Sequence, residues 1–561
     1  MVARLTLAVL LLVVCPASAT DLFVRDAAIW TGDSERPAAT WIAIDDGRIV
    51  ALGDGDAWRE HATETTDVID ARGGRVLPGL VDAHVHLYGA AMDLATLDLR
   101  AAASRETLLA MVKDAAAATA EGDWIVGARW SAESWPDQRP PTAAELDEAS
   151  GGRPAVLMRM DGHSLLASSS ALAAAGIDAR RPGDPPGGTI GRDPTTGEPS
   201  GAVYEQAMSL VTRHIVAPAV DDQALLAKAV AEASRNGITT VGNLEGITET
   251  EAIATLDAAG GLSLRVATSL QNKSGDTLAA WRETLEWAAE NPRPSEHVRV
   301  IGVKAYMDGT LGSRTAWMTR PYDDNDQAAD KSVDNAGYPL AMASSGEMRK
   351  WIEAAATMGL QPAVHAIGDE ANRTLLDWYA ALPADVRERV RPRIEHAQHL
   401  RPQDVARFGE LGVIPSMQPY HKADDGRYAE QRLGAERVES SYAFRGLLDS
   451  DATLAFGSDW PVVSVNPFLG IAAAVNAMTL DGEEFVPQQS ISVEEAVVAY
   501  TRGAAYALHM EDEVGMLRPG MRADLIVLNR DVLDTPPAEI GRIGVAMTIF
   551  DGKVVSFARQ N

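Results

Sequence analysis

The 561-residue chain has a single cysteine, Cys15, and few aromatic residues, 6% of the total. One thiol can neither close an intramolecular disulfide nor build a cysteine-ligated zinc site, so both are excluded. Basic residues are scarce beside acidic ones: Lys and Arg number 50 against 79 Asp and Glu, a formal net charge of -29. Phosphate backbones and anionic bilayers are repelled by such a field, which argues against nucleic acid or an anionic membrane as partner. Long apolar runs are missing as well. The most apolar stretch, residues 5–14, covers about ten residues, half of what a membrane-spanning helix needs, so stable membrane insertion is not expected.

What is present begins with that stretch. Met1-Val-Ala-Arg4 precedes it and Pro16-Ala17-Ser18-Ala19 follows it, which together make a secretory signal with Ala-x-Ala processing. Residues 1–19 therefore read as a cleaved signal peptide, and the mature protein as periplasmic or secreted. Cleavage there would also remove Cys15. A lipid anchor on Cys15 would call for a small residue before it, and Val14 and Pro16 are poor surroundings. Hydrophobic residues at 46% and charged residues at 23% are ordinary for a folded protein.

Against this background, polar residues recur at the ends of short apolar runs in the order His84-x-His86, Lys304, His365, His396, Asp459. In Gly79-Leu-Val-Asp-Ala-His-Val-His-Leu87, the two-residue period of a strand sends His84 and His86 to one face, where two imidazoles can share a metal. Ile301-Gly-Val-Lys304-Ala-Tyr-Met-Asp, Gln361-Pro-Ala-Val-His365, Arg393-Ile-Glu-His396 and Thr453-Leu-Ala-Phe-Gly-Ser-Asp459 each read as a buried parallel strand with its reactive residue at the C-terminal end. Catalytic groups collect at that end in an eight-stranded α/β barrel. A lone strand histidine is more often a satisfied core residue. Here the placement recurs, and burying a lysine or aspartate without a partner is costly, so the set reads as the donor set of a two-metal hydrolase.

From Asp222 onward the pattern alternates regularly: helix 223–236, strand 238–241, helix 249–259, strand 262–266, helix 278–290. With the strands bearing His84, Lys304, His365, His396, Met417 and Asp459, the strand count reaches eight. The expected fold is α/β, a (β/α)8 TIM-like barrel over 78–509. Residues 21–75 and 517–556 instead carry short strands and Asp-Gly turns. Neither piece can bury a face alone, so 20–77 and 510–561 are predicted to form one composite β-sandwich. Residues from about 97 to 218 lack the barrel rhythm and read as an inserted lid or pocket wall. This insertion holds Trp124, Trp130, Trp135 and Arg159-Met-Asp161-Gly-His163, then a loop rich in glycine and proline over 181–201.

These motifs carry a family resemblance. Pro78-Gly-Leu-Val-Asp-Ala-His-Val-His86, Val303-Lys-Ala-Tyr-Met-Asp-Gly-Thr-Leu-Gly-Ser-Arg-Thr315, Ala363-Val-His-Ala-Ile-Gly-Asp369, Arg393-Ile-Glu-His-Ala-Gln398 and Phe456-Gly-Ser-Asp-Trp-Pro461 resemble the amidohydrolase superfamily, specifically its YtcJ-like branch, amidohydrolase family 3. The resemblance implies two divalent metal ions, zinc foremost. His84, His86 and Asp459 would hold one, His365 and His396 the other, and a carboxylated Lys304 would bridge them. A carbamate supplies two anionic oxygens where a bare ammonium would be repelled. Three positions depart from the branch: Ser131 stands for a usual aspartate, Ser168 for an asparagine, and Gly242-Asn243 for His-Asp.

The expected reaction is metal-assisted hydrolysis of a carbon–nitrogen bond other than a peptide bond, an amide, N-acyl or cyclic amide, in a small-molecule substrate. Asp459 would shuttle the proton. A carboxylic ester or lactone is the alternative, and a non-catalytic periplasmic metal- or ligand-binding protein a more distant one. His163 either hydrogen-bonds the substrate carbonyl or is held by Asp161. Asp308 and Arg314 form a candidate charged pair that orients substrate or ties down a loop. Trp130, Tyr306, Gln418, His421 and Trp460 complete the candidate substrate contacts. His399 is a candidate outer partner of the metal site, whereas His61, His214, His297 and His509 read as surface residues. A homo-oligomer is left open.

Overall fold

The computed structural model describes residues 20–558 apart from 121, 133–134, 161, 180–183, 186, 216–220, 273–274 and 325–334. The signal-peptide reading of residues 1–19, Cys15 included, and Asp161 lie outside the described residues.

Eight parallel strands form the centre: β1 (Leu80–Val85), β2 (Ile238–Asn243), β3 (Arg265–Gln271), β4 (Val298–Tyr306), β5 (Gln361–Ala366), β6 (Arg393–His396), β7 (Ile414–Met417) and β8 (Ala455–Phe456). They pair in sequence order from β1 to β8. A parallel bridge between Val85 and Trp460 brings the two ends of the sheet together into a nearly closed barrel. Every residue of β1, β2, β5, β6 and β7 is buried, the mark of strands covered on both faces. Helices supply the outer cover. In the helix Glu347–Thr357, Met348, Trp351, Ile352, Ala355 and Ala356 repeat at three- and four-residue spacing and face the sheet. The sequence expectation for the third strand, 262–266, falls short: it runs over Arg265–Gln271, because Leu262 to Leu264 are spent on the turn that enters it.

A staple joins the first and last strands. Asp82 accepts hydrogen bonds from the Ser458 backbone N–H at 2.9 Å and the Ser458 hydroxyl at 2.5 Å, and from the His84 N–H at 3.1 Å. Gly457 permits the approach, since a Cβ there would lie 2.6 Å from the His84 nitrogen and 2.7 Å from the Asp82 carboxylate.

Below the barrel lie two further sheets. One has four strands, ordered Arg48–Gly53, Trp41–Asp45, Leu22–Arg25, Asp67–Asp70. In the other, Lys553–Phe557, Val545–Phe550 and Leu525–Leu528 from the C-terminal segment continue onto Arg75–Pro78, Ala28–Trp30 and Ala38–Ala39. Val24, Ile42, Ile44, Leu525 and Ile549 meet in their shared core.

The insertion is not the irregular segment that its pattern suggests. It folds as a mixed six-stranded sheet, ordered Gly188–Arg192, Pro199–Glu205, Ser164–Ala167, Ala155–Arg159, Ile125–Trp130, Leu97–Asp98. Its own core includes Leu108, Val112, Leu146 and Leu157. Part of the glycine- and proline-rich loop forms the antiparallel hairpin of the first two strands. Short strands that mix parallel and antiparallel neighbours impose no single period, which is why the order was hidden in the sequence.

Candidate metal centre

The barrel delivers its donors to one rim. His84 lies near the end of β1 and His86 follows it as the N-cap of the helix Leu87–Asp93, Lys304 sits near the end of β4, and His365 and His396 near the ends of β5 and β6. Asp459 follows β8 by three residues. The ring centroids of His84 and His86 are 5.6 Å apart, those of His84 and His396 4.9 Å, and those of His365 and His396 4.4 Å. Asp459 Oδ1 lies 3.3 Å from Nε2 of both His84 and His86. His396 and Asp459 hold left-handed backbones, with φ of 75° and 62°, a strain that non-glycine residues accept chiefly where the surroundings dictate it.

Outer partners set which ring nitrogen is free. His84 Nδ1 donates to Glu395 Oε2 at 2.7 Å, and His86 Nδ1 to the Leu244 carbonyl at 2.8 Å. Both Nε2 lone pairs then point at Asp459, the arrangement by which second-layer acceptors orient metal-binding imidazoles. Glu395 is itself fixed by Arg393 Nε at 2.7 Å, and Arg393 ties on to the Ala83 carbonyl and the Ser416 hydroxyl. Among the described residues, the buried polar atoms around this point that have no hydrogen-bond partner include His84 Nε2, His396 Nδ1, His421 Nε2, Asp459 Oδ1 and Lys304 Nζ. Lone pairs that face one another without an intervening proton repel, and a divalent cation removes that cost, so the residues fit a metal.

Two donor triads emerge, His84–His86–Asp459 and His396–His421–Asp459. The first is the expected one; the second differs from the expectation. His365 stands beside His396, but its Nε2 faces the Gly309 carbonyl at 3.1 Å, with Asp308 Oδ1 at 3.7 Å. His421, expected to touch substrate, turns a buried, unpartnered Nε2 toward the centre instead, its ring stacked on His396 at 6.2 Å.

Burial and charge shape the ionisation. Burial pushes the Lys304 ammonium down to about 8, against the pull of Glu395 and Asp459, which eases its access to the neutral amine that carboxylation needs. Burial works to raise the Asp459 and Glu395 carboxyls, but His84 overcomes it at Asp459 and Arg393 with His84 at Glu395, so both are held below the usual carboxylate range. Burial lowers His365 and His396 well below the ordinary imidazole value, the neutral form a metal ligand requires.

The remaining candidates divide. His163 lies near the centre, its ring 5.2 Å from His365, and its Nδ1 pairs with Glu205 Oε2 at 2.9 Å. Gln418 Nε2 contacts His84 Nδ1 at 3.2 Å, and the Tyr306 ring stands 5.4 Å from His365 with its hydroxyl on Gln271. Trp460 is buried, and its carbonyl accepts from the His86 N–H at 2.8 Å, a positioning contact. Trp130 belongs to the core of the insertion, its indole bonded to the Leu157 carbonyl. Asp308 and Arg314 do not pair. Asp308 accepts from the backbone of Trp317, Ile367 and Gly368, its carboxyl pushed up to about 7 by burial against those bonds, while Arg314 forks onto Asp324. A carboxylate ten residues along the loop reached Arg314 first.

Other histidines also move. His399 bonds the Ser441 hydroxyl at 2.8 Å. His297 is held between Asp257 and Asp551, and His509 is pushed down to about 4, by burial first, so neither is a surface residue; His61 and His214 are exposed. Of the branch departures, Asn243 accepts the Leu87 N–H and Ser168 caps the helix Ser169–Ala174. Glu395, Arg393 and Asp82 went unread in the sequence. The alternation in Arg393-Ile-Glu395 does set two charges on one strand face, the signal that could have found them.

The family model described as the Amidohydrolase family matches residues 67–556. The chain belongs to the amidohydrolase family. Within it, this amidohydrolase is 36% identical to Protein LONG AFTER FAR-RED 3 of Arabidopsis thaliana over 92% of its own length and 88% of the relative's. It is 28% identical to putative amidohydrolase YtcJ of Bacillus subtilis, covering 94% of this chain and 99% of that one, in keeping with the YtcJ-like motifs. It is 27% identical to N-substituted formamide deformylase of Arthrobacter pascens, covering 95% and 97%. The crystal structure of an uncharacterized metal-dependent hydrolase from Pyrococcus furiosus, 29% identical, superposes with a TM-score of 0.69 over 91% of this chain and 100% of that chain.

Proposed function

We propose that this amidohydrolase cleaves a carbon–nitrogen bond other than a peptide bond in a small molecule, an N-acyl, formamide-like or cyclic amide. The observation that carries the reading is the convergence of unpartnered donor atoms from His84, His396 and His421 around the unpartnered Asp459 oxygen. The cavity over them is about 60 Å³, lined by His163, Leu311, His365 and Asp459, which supports a compact acyl group at the scissile bond. The formamide deformylase similarity supports the same class.

His84, His86 and Asp459 would hold one divalent cation, zinc foremost, and His396 with His421 a second beside a carboxylated Lys304. A bound cation supplies Lewis acidity, which brings the pKa of water to about 7 and polarises a carbonyl. Asp459, ionised throughout the neutral range, takes a proton from the attacking water and returns it to the leaving nitrogen. The new carbon–oxygen bond forms as the carbon–nitrogen bond breaks, giving a carboxylic acid and an amine. His163, anchored through Nδ1 by Glu205, offers its other nitrogen to the carbonyl oxygen.

The reading of residues 1–19 as a secretory signal supports export of this activity across the cytoplasmic membrane. Among the described residues no helix is long and apolar enough to cross a membrane. The exported protein is expected to begin at Thr20 by mass spectrometry; a cytoplasmic chain retaining Met1 refutes export.

The reaction is tested with matched amides and esters, alongside elemental analysis. Formamides and small N-acyl amides are expected to turn over in the metal-loaded protein. His84→Ala should lose metal and activity together, and Asp459→Asn should lower kcat by about 10²- to 10⁴-fold. Full activity in Asp459→Asn, or esters exceeding their matched amides tenfold, overturns the assignment.

A further inference from the structure

Beside the metal-centre cavity lies a second one, of about 370 Å³, between the insertion and the barrel. Gly312 lines both, so the two chambers adjoin. Three guanidinium groups meet at the second: Arg159 from the insertion strand Ala155–Arg159, Arg314 from the loop after β4, and Arg432 from the helix Ala429–Leu433.

Two of the described carboxylates beside the chamber are already committed. Asp324 takes both forks of Arg314, at 3.1 and 2.6 Å, and reaches Arg432 only at 3.9 Å. Asp137, on the wall, pairs with Arg105 at 3.1 Å. Arg432 is 6% exposed, and its Nε and Nη1 have no hydrogen-bond partner. Its plane lies over the Tyr428 ring, 4.9 Å from the centroid, which fixes the guanidinium without satisfying those donors. A buried guanidinium with idle N–H groups, beside two more, is costly until an anion takes them.

We propose that this chamber is an anion subsite that takes a carboxylate on the substrate, held by Arg432 with Arg159 on the same wall, while the scissile bond occupies the metal-side chamber. The inference rests on the amide-hydrolase reading and narrows its substrate class to compact amides whose nitrogen side carries an acidic tail. A carboxylate suits the site because its two oxygens match the planar fork of a guanidinium.

Two measurements on the metal-loaded protein test the subsite. In calorimetry with glutarate, the wild type should bind, and Arg432→Met and Arg159→Gln should each weaken binding about tenfold or more at unchanged metal content. Arg159→Gln carries the test if Arg432→Met does not fold. In kinetics, 6-formamidohexanoate should exceed neutral N-formylhexylamine about tenfold in kcat/KM, and either variant should erase that preference mainly through KM. If neither formamide turns over yet glutarate binding depends on Arg432, the amide reading fails and the subsite stands. If both formamides turn over equally in all the proteins, or glutarate binding is absent or indifferent to the substitutions, the subsite is overturned and the amide reading stands.

Discussion

At the amino-terminal end of the barrel Arg265 opens β3 and donates to both oxygens of Asp524, at 2.8 and 3.1 Å, and to Asp551. Beside it His297 bridges Asp257 at 2.7 Å and Asp551 at 2.9 Å. At the carboxy-terminal end His84, His396, Lys304 and Asp459 are buried, yet each leaves an atom without a partner. The residue types are nearly the same at the two ends. The difference is completion: the lower cluster closes its own hydrogen bonds and locks the terminal strands to the barrel, while the upper one converges its idle lone pairs on a point that only a ligand can fill.

The comparison breaks first, and hardest, at Arg265. Arg265→Met should cost about 3–5 kcal/mol in urea unfolding, because it leaves Asp524 buried without its cation, and it should spare metal content. Metal loss at unchanged stability would erase the distinction between the ends.

Lys422 sharpens it from another side. Its Nζ is also buried and unpartnered, but it stands 5.8 Å from the centroid of the Phe444 ring and joins no donor triad among the described residues. Burial pushes its ammonium down from 10.5 to about 8, so the folded state binds fewer protons than the unfolded one. Stability should therefore rise with pH between about 8 and 10.5. Lys422→Met should stabilise the protein at pH 7 by up to about 3 kcal/mol, a gain that vanishes above pH 10.5. Thermal melts of both proteins across that range decide the matter, and a destabilised variant would mean that Lys422 has a partner in use.

The smallest effect belongs to Glu395, the acceptor that sets the His84 tautomer. Glu395→Gln should weaken metal affinity about 10- to 100-fold, measured by competition with a chelator, with the ion still bound at saturating metal. Unaltered affinity would make Glu395 a partner of Arg393 alone.

The family and the barrel were legible because each long motif ends a buried strand, a pattern that survives without knowledge of neighbours. What lay between strands was not. The Arg314 partner, Asp324, is set by the path of a loop, and the role of His421 depends on how the helix Pro419–Asp425 leans over β6. Trp130 and the insertion sheet were obscured by mixed strand directions. The Arg432 chamber joins three distant segments, and no spacing in the sequence brings them together.

The Asp82–Ser458 staple has a consequence for how the protein is made. Two donors leave the ribosome near the start of the chain and the third emerges some hundreds of residues later, so a nascent or prematurely terminated polypeptide holds half a chelate and no chemistry. Loops of that length close slowly, and sealing the ring is the act that creates the pocket. Competence thus arrives in one step, with the final turn of the barrel.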